Sequence, residues 1–335
     1  MILDRLFDFF RQDLAMDLGT ANTLLYTPKK GIVLNEPSVV ALDVRDNRVR
    51  AVGAEAKEYL GRAPATINAV RPMRDGVIAD FEVTRTMIAS FVDKAVQRNR
   101  LTKPKMAICV PTGITQVEKQ AVVESAKLAG ARKVLLLEEP MAAAIGAGLP
   151  ITEPRGNLVV DIGGGTTEVA FISMSAVTYA ESVRVAGDEL DWTIQRFIRD
   201  KYQLLIGETA AERIKMRLGE GRTLEITGKD VVEGIPKAVE VETAHVRECL
   251  SGELDTIVNV VLRTLEKSPP ELVTDVADQG ILLAGGGAKL FGLSELITQH
   301  AGISAVIEDA PLTTVLRGTG TALSNEREHR DMFIN

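Results

Sequence analysis

Hydrophobic positions along the chain fall into two patterns, short continuous runs and longer stretches with a helical period. Continuous apolar runs at 105–111, 134–137 and 280–284 predict buried strands. Residues 84–99 instead place apolar side chains three and four positions apart, which predicts a helix whose buried face is Met87, Ile88, Phe91, Val92, Ala95 and Val96. Strands and helices that alternate in this way are typical of an α/β sandwich.

Two stretches, 14–26 and 159–171, each combine an apolar run, an aspartate, a glycine turn and a second apolar run. Each predicts a strand, a tight turn and a returning strand, because glycine adopts positive φ without strain and leaves the turn amides uncovered. Exposed amides suit phosphate, and the aspartates before the turns, Asp17 and Asp161, suit a hydrated magnesium ion bound to that phosphate. The predicted ligand is a nucleotide, and a turn that only joins two strands is the plain alternative.

Neither turn fits the two most common nucleotide-binding motifs. A Walker loop ends in Gly-Lys-Ser or Gly-Lys-Thr and opens a helix, and a dinucleotide fingerprint also requires a helix after its glycines. Here the chain continues as a predicted strand at 168–172. The nucleotide site is therefore expected to be built from hairpins.

An internal duplication is indicated by the order of the motifs, since 138–148 is similar to 308–320 and each follows one of the glycine turns. Two related halves, each with a phosphate turn, predict two facing domains that clamp one nucleotide. Smaller inserted subdomains are expected at about 32–76 and about 188–250. The predicted division is an amphipathic helix at 1–12, a first half at 13–150, a second half at 151–325 and a tail at 326–335.

Length and composition are compatible with two such domains. The chain has 335 residues, of which 45% are hydrophobic and 25% are charged, a globular composition. No apolar run reaches the roughly 18 to 20 residues that span a bilayer, and the start lacks a cleavable signal pattern, so a cytoplasmic protein is expected. Cys109 and Cys249 predict neither a disulfide framework nor a metal cluster. A net charge of −7 with 4% aromatic residues argues against a nucleic-acid partner.

Local signals place further elements around the two turns. Thr115 and Glu118 have the spacing of a capping box at the start of a helix that ends at Gly130. The glycine triplet 285–287 follows a predicted strand and, with Ala288, is assigned to the nucleoside. The remaining predicted elements are a short helix at 54–61, helices at 187–202 and 209–218, strands within 223–241, and helices at 243–267 and 270–278.

The start of the chain predicts a short amphipathic helix directly before the first strand. Its apolar face is Ile2, Leu3, Leu6, Phe7 and Phe10. Such a helix either lies in a membrane interface or packs on its own domain. Asp4 and Asp8 on its polar side, with Asp13 directly after it, offset Arg5 and Arg11, so a single helix should bind lipid weakly. A filament that presents many copies should bind firmly, because each further helix binds at high effective concentration.

With these motifs in view, the chain resembles the actin, sugar-kinase and heat-shock chaperone superfamily, and within it the MreB family of bacterial actins. The resemblance extends over residues 17–320. It implies an α/β, actin-like duplicated ATPase fold, in which two facing domains each carry a mixed sheet flanked by helices and a smaller inserted subdomain. The stretches that carry it are 17–23, 35–38, 71–80, 138–148, 161–168, 186–189 and 265–272.

The resemblance also implies ATP and Mg²⁺ as cofactors and assigns roles to individual residues. Asp17 and Asp161 would face the magnesium ion through water. Glu139 would orient the water that attacks the γ-phosphate, and Thr167 would help to hold that water. Capping of the helix that starts at Pro140 is the alternative role for Glu139.

Nucleotide contacts follow from the same resemblance. Glu212 and Lys215 lie one helical turn apart and would reach the ribose and adenine, with an exposed ion pair between them as the alternative. The full set of predicted nucleotide contacts is Gly19, Thr20, Ala21, Asn22, Gly163, Gly164, Gly165, Thr166, Gly187, Asp188, Glu212, Lys215, Gly285, Gly286, Gly287 and Ala288.

The function that the resemblance favours is that of a cytoskeletal protein whose actin-like filaments organise cell-wall synthesis and rod shape, with slow ATP hydrolysis. Its expected partners are further copies joined head to tail near Gly187 and the two insertions, cell-wall elongation proteins, and the inner face of the cell membrane through the first helix. A small-molecule kinase and a chaperone-type ATPase of the same fold are the alternatives. A kinase should add a catalytic aspartate in a sugar cleft, and a chaperone a β-rich peptide-binding domain after the core, and we expect neither.

Overall fold

A computed structural model describes residues 13–96 and 103–334 of the chain. The predicted helix at 1–12 lies outside the described residues. Up to residue 146 the elements are β1 (Leu14–Leu18), β2 (Asn22–Thr27), β3 (Gly31–Pro37), β4 (Val40–Asp43), β5 (Val49–Val52), α1 (Ala54–Lys57), β6 (Ile67–Val70), β7 (Met73–Arg74), β8 (Val77–Ile78), α2 (Phe81–Val96), β9 (Lys105–Val110), α3 (Gln116–Leu128), β10 (Lys133–Glu138) and α4 (Glu139–Gly146).

The later elements repeat this plan with a larger insertion. They are β11 (Asn157–Ile162), β12 (Thr167–Ser173), β13 (Ala176–Val183), α5 (Gly187–Tyr202), β14 (Leu204–Leu205), α6 (Glu208–Met216), β15 (Thr223–Asp230), β16 (Pro236–Glu242), α7 (Thr243–Cys249), α8 (Ser251–Lys267), α9 (Pro270–Gln279), β17 (Ile281–Ala284), a 3-10 helix (Gly286–Lys289), α10 (Leu293–Ala301), β18 (Ala305–Ile307), α11 (Thr314–Ser324) and a last 3-10 helix (Arg330–Met332).

The two large sheets have the same topology. The first has the strand order β3-β2-β1-β9-β10 and the second β13-β12-β11-β17-β18. In each, the first strand of the glycine hairpin pairs antiparallel with its return strand and parallel with a later strand. The predicted duplication and the predicted mixed sheets are therefore confirmed.

Each half carries a small sheet in its insertion. The first insertion holds a three-stranded sheet, β5-β4-β6, beside α1. The second holds β14-β15-β16, whose first strand precedes α6 and whose other two strands follow it. Both sheets follow their predicted positions in the chain. Two helices differ from expectation: α1 ends at Lys57, and the predicted helix at 243–267 breaks at Leu250 into α7 and α8. The glycine triplet leads into a 3-10 helix.

Helices α4 and α11 cross one another and join the halves. Helix α4 comes from the first half yet packs on β11 and β12, whereas α11, at the end of the second half, packs on β1, β2 and β9. The last residues follow α11 to the first sheet, where the amide of Ile334 donates to the carbonyl of Leu136 at 3.0 Å. Each side of the division predicted at residue 150 thus contributes one helix that packs on the sheet of the other side.

Apolar side chains fill the space between the sheets and helices. On α2, Met87, Ile88 and Phe91 are fully buried, as the helical period predicts. The capping box at α3 is formed, since the Thr115 hydroxyl accepts from the Glu118 amide and the Glu118 carboxylate accepts from the Thr115 amide. Among the described residues, no helix has the length and apolar composition that crossing a membrane requires.

Candidate functional site

The two predicted phosphate turns face each other where the halves meet. We call residues 19–22 the first phosphate loop and residues 163–166 the second. Each is closed by the same bond, in which the first glycine amide donates to the carbonyl three residues later, at 3.1 Å and 2.9 Å. A Cβ atom on Gly164 would lie 2.7 Å from the Cβ of Ala21, and one on Gly165 would lie 2.7 Å from the hydroxyl of Thr20. Glycine is therefore needed at both positions for the loops to approach this closely.

Neighbouring elements hold each loop in place. On the first loop, the Ser38 hydroxyl donates to the carbonyl of Gly19 at 2.7 Å, and the Gly76 amide donates to the hydroxyl of Thr20 at 2.9 Å. On the second loop, the amides of Gly187 and Asp188 at the start of α5 donate to loop carbonyls at 3.2 Å and 2.8 Å. Gly187 and Asp188, which the sequence assigned to the site, thus lie against the second phosphate loop.

Four carboxyl groups gather beside the loops. Asp17 is on β1 and Asp161 on β11, Glu168 stands directly opposite Asp161 on β12, and Glu139 begins α4. Burial, reinforced by the charge of Asp161, raises the pKa of Asp17 to about 7. Burial likewise raises the pKa of Asp161 and of Glu168. The site therefore concentrates more negative charge than its surroundings can solvate.

Glu139 lies within electrostatic reach of the other three carboxyl groups. Burial, then the charges of Glu168, Asp161 and Asp17, raise the pKa of Glu139 well above its usual range. Its alternative role as a helix cap is not supported, because the N-cap residue of α4 is Glu138 and no side-chain capping bond is formed there. Pro140 occupies the first turn of α4, as predicted.

The donor set fits a hydrated magnesium ion better than a directly ligated metal. Carboxylate oxygens are the groups that Mg²⁺ prefers, and Mg²⁺ usually keeps several waters. Within the residues that the structure describes, no three His, Cys, Asp or Glu side chains lie close enough to hold a metal ion together. The Glu168 carboxylate has one buried oxygen, Oε1, without a hydrogen-bond partner. A water molecule bound to a cation would donate a hydrogen bond to this oxygen.

Two residues that the sequence did not assign to the site bridge the halves here. The other Glu168 oxygen, Oε2, accepts from the amide of Thr112 at 2.9 Å and from its hydroxyl at 3.0 Å. Thr112 follows β9 in the first half, and Glu168 lies in the second. The position of Glu168 could have been found from the hairpin register, which sets it opposite Asp161. Nothing in the local sequence around Thr112 indicates this contact.

Thr167 has a structural partner. Its side chain is fully buried, and its hydroxyl donates to the carbonyl of Val185 at 2.7 Å within the second half. The predicted role in holding the attacking water therefore competes with an existing bond. Thr166, the neighbouring hydroxyl on the second phosphate loop, is also buried.

The predicted nucleoside residues lie around the start of α5 and the end of β17. Gly285 is so close to the second hairpin that a Cβ atom would lie 2.4 Å from Oδ1 of Asp161. The ammonium group of Lys215 donates to the carbonyl of Gly187 at 2.7 Å and pairs with Asp191 at 2.9 Å. Asp191 is a site neighbour that the sequence did not indicate.

Glu212 does not form the ion pair with Lys215 that was the alternative to nucleotide contact. It instead accepts from Lys57 of the first insertion at 2.9 Å. The exposed ion pair within α6 is therefore excluded as the explanation for these two residues. Their predicted contacts with ribose and adenine remain predictions.

Comparison with known proteins identifies relatives over nearly the whole chain. The family model for the MreB/Mbl protein matches residues 11–331. The cell shape-determining protein MreB of Escherichia coli (strain K12) is 50% identical over 328 residues, which cover 94% of each chain. The cell shape-determining protein Mbl of Bacillus subtilis (strain 168) is 45% identical over 322 residues, which cover 94% of this chain and 97% of Mbl.

Solved structures show the same fold. MreB5 of Spiroplasma citri bound to ADP has a TM-score of 0.90 and 32% sequence identity, covering 96% of this chain and 98% of MreB5. The MamK double helical filament has a TM-score of 0.82 at 21% identity, covering 94% of this chain and 99% of MamK, and supports the fold alone. The chain therefore belongs to the MreB/Mbl family.

Proposed function

We propose that this protein binds ATP with magnesium between its two halves, hydrolyses it slowly, and assembles head to tail into actin-like filaments that organise cell-wall synthesis and rod shape. The observation that carries the proposal is the contact between the two phosphate loops beside four carboxyl groups, of which Asp161 and Glu168 are buried. The curated relatives are named cell shape-determining proteins, and MreB5 of Spiroplasma citri has been solved with ADP and with AMPPNP. MamK has been solved as a filament.

The residues of the site divide the work of hydrolysis. The amides of both phosphate loops bind phosphate oxygens, and Asp17 with Asp161 holds the water shell of the metal. Magnesium, when bound, neutralises charge on the phosphates. Glu139 orients a water and accepts its proton. Thr112 keeps Glu168 in place behind this group through two hydrogen bonds.

Asp161→Ala tests the metal role. Loss of this carboxylate should weaken ATP binding in magnesium while leaving binding in EDTA less affected, as measured by calorimetry. Unchanged affinity in magnesium would remove Asp161 from the metal site. A matched control is Asp255→Ala, which changes a carboxylate on α8, outside the loops.

Filament formation is the second part of the proposal. Subunits that repeat one head-to-tail contact form open strands, because such a contact does not close on itself. The insertions are expected to border it, and the β15–β16 turn in the second insertion exposes 82% of Val232. Electron microscopy and sedimentation with ATP should show filaments for wild type and for Leu128→Glu, which changes an exposed apolar residue of α3. Val232→Glu should shorten or abolish them.

Monomers under all nucleotide and lipid conditions would contradict the filament proposal and favour a kinase of the same fold. The membrane part rests on the apolar face of the helix predicted at 1–12. One such helix should bind marginally, and the filament should make the binding firm by raising the effective concentration of each further helix. The inner face of the cell membrane and cell-wall elongation proteins are therefore proposed as partners.

A further inference from the structure

Two ion pairs join the first insertion to α6 of the second half. Lys57, the last residue of α1, pairs with Glu212 at 2.9 Å, and Arg71, just after β6, pairs with Glu208. Glu208 and Glu212 are four residues apart, so they lie on the same face of α6. One face of α6 therefore carries both carboxylates that form ion pairs with the first insertion.

Both sides of this contact are bonded onward to the phosphate loops. In the second half, Lys215 of α6 donates to the carbonyl of Gly187, and the amide of Gly187 donates to the second phosphate loop. In the first half, Arg71 leads into the β7–β8 hairpin, whose Gly76 amide donates to Thr20 of the first phosphate loop. The ion pairs are therefore connected through these bonds to the supports of both loops.

The charges of these pairs surround a residue that the sequence assigns to the nucleotide. Burial raises the pKa of Asp188, while Arg71 and Lys215 lower it and Glu208 and Glu212 raise it. Asp188 therefore lies within electrostatic reach of both carboxylates of the ion pairs. In addition, the Nε atom of Arg71 is buried and has no hydrogen-bond partner. The ion pairs thus lie close to a residue predicted to contact the nucleotide, and the protein leaves one Arg71 nitrogen without a hydrogen bond.

We infer that Lys57–Glu212 and Arg71–Glu208 form a cross-cleft latch, which must open before a nucleotide can leave and which therefore sets the rate of nucleotide release. The inference rests on the proposed function. The four side chains are between 21% and 42% exposed, so water and salt weaken the pairs without removing them. One partly exposed pair is expected to slow release about 2- to 5-fold, and two together about 5- to 20-fold.

The test is the release of fluorescently labelled ADP from the full chain, followed by stopped flow after mixing with excess unlabelled ADP. The double variant Lys57→Gln with Glu208→Gln removes one charge from each pair and leaves the predicted nucleotide contacts in place. Its release should be about 5- to 20-fold faster than that of wild type. Added salt should speed release from wild type and have little effect on the double variant.

Two further variants separate a latch from a general loss of structure. Arg71→Glu should release ADP quickly, and Arg71→Glu with Glu208→Arg should return to within about 3-fold of wild type, because the reversed pair restores the attraction. Arg217→Gln breaks a pair with Glu220 that does not cross the cleft, and it should release ADP at the wild-type rate. Circular dichroism melts of all variants check that each is folded.

The outcomes distinguish the latch from the function on which it rests. Equal release rates and equal salt dependence in wild type and the double variant, with ADP bound, would overturn the latch alone. The latch would also be overturned if Arg71→Glu released ADP faster and the reversed pair, Arg71→Glu with Glu208→Arg, did not restore slow release. The effect of Arg71→Glu would then not come from a lost ion pair. If wild type bound no labelled ADP at all, the proposed function would fail and the latch with it.

Discussion

Replacing Gly318 by alanine should force apart the two helices that join the halves. Gly318 on α11 lies against α4 so closely that a Cβ atom would be 1.8 Å from the carbonyl oxygen of Ala142. The contact is reciprocal, because a Cβ atom on Gly146 of α4 would be 2.0 Å from the carbonyl oxygen of Thr314. Both obstructing atoms are backbone, so no side-chain rotation relieves the overlap.

The size of the effect follows from these distances. Real Cβ contacts are not shorter than 3.0 Å, so the helices must shift by about 1.2 Å where Gly318 meets Ala142. Overpacking a buried contact typically costs about 1–3 kcal/mol. Alanine also favours a helix over glycine by about 1 kcal/mol, which offsets part of that cost. We expect Gly318→Ala to lower the free energy of unfolding by about 2 kcal/mol. This is an overpacking cost of about 3 kcal/mol less the gain of about 1 kcal/mol in helix preference.

Urea denaturation of wild type and variant measures this difference. The matched control is Gly252→Ala on α8, where an added Cβ atom meets nothing within 4 Å. That variant should be unchanged or more stable by up to about 1 kcal/mol, because only the helix preference changes. The double variant of Gly146 and Gly318 should lose less than the sum of the singles, since one separation serves both contacts. A Gly318→Ala protein as stable as Gly252→Ala would refute the close helix crossing.

Three further predictions concern the site and the first helix. Glu139→Gln should keep ATP binding by calorimetry while phosphate release falls by roughly 10²-fold or more, and wild-type hydrolysis would leave Glu139 without a catalytic role. The raised pKa of Asp17, about 7, means that its folded form binds protons more tightly than the unfolded chain does, so this group stabilises the nucleotide-free protein at low pH. That contribution should be complete near pH 4 and lost as pH rises through about 7. In Asp17→Asn, the midpoint of urea denaturation should therefore change less with pH over this range. An identical pH dependence in variant and wild type would contradict the raised pKa of Asp17. Phe7→Asp with Phe10→Asp should abolish flotation with liposomes under polymerising conditions without changing ATP affinity, and equal flotation of variant and wild type would remove the membrane anchor.

Local features of the sequence determined much of the fold because their physical causes are local. The glycine turns after Asp17 and Asp161, the capping box of Thr115 and Glu118, and the helix from Gly187 to Tyr202 all occur as predicted. Each depends on backbone freedom, side-chain bonds or hydrophobic spacing within a few residues. The duplicated motifs also indicated two sheets of the same topology, because a repeated sequence order repeats the strand order.

The contacts that complete the site were decided only by the tertiary structure. Lys57 and Glu212 are separated by 155 positions, and Thr112 and Glu168 by 56, so no local pattern relates them. The exchange of α4 and α11 between the sheets likewise depends on which buried face each helix finds once both sheets exist. Sequence periodicity states that a face is apolar, but the partner of that face is chosen by the packing of the whole chain, because burial is favourable against any apolar surface of suitable shape.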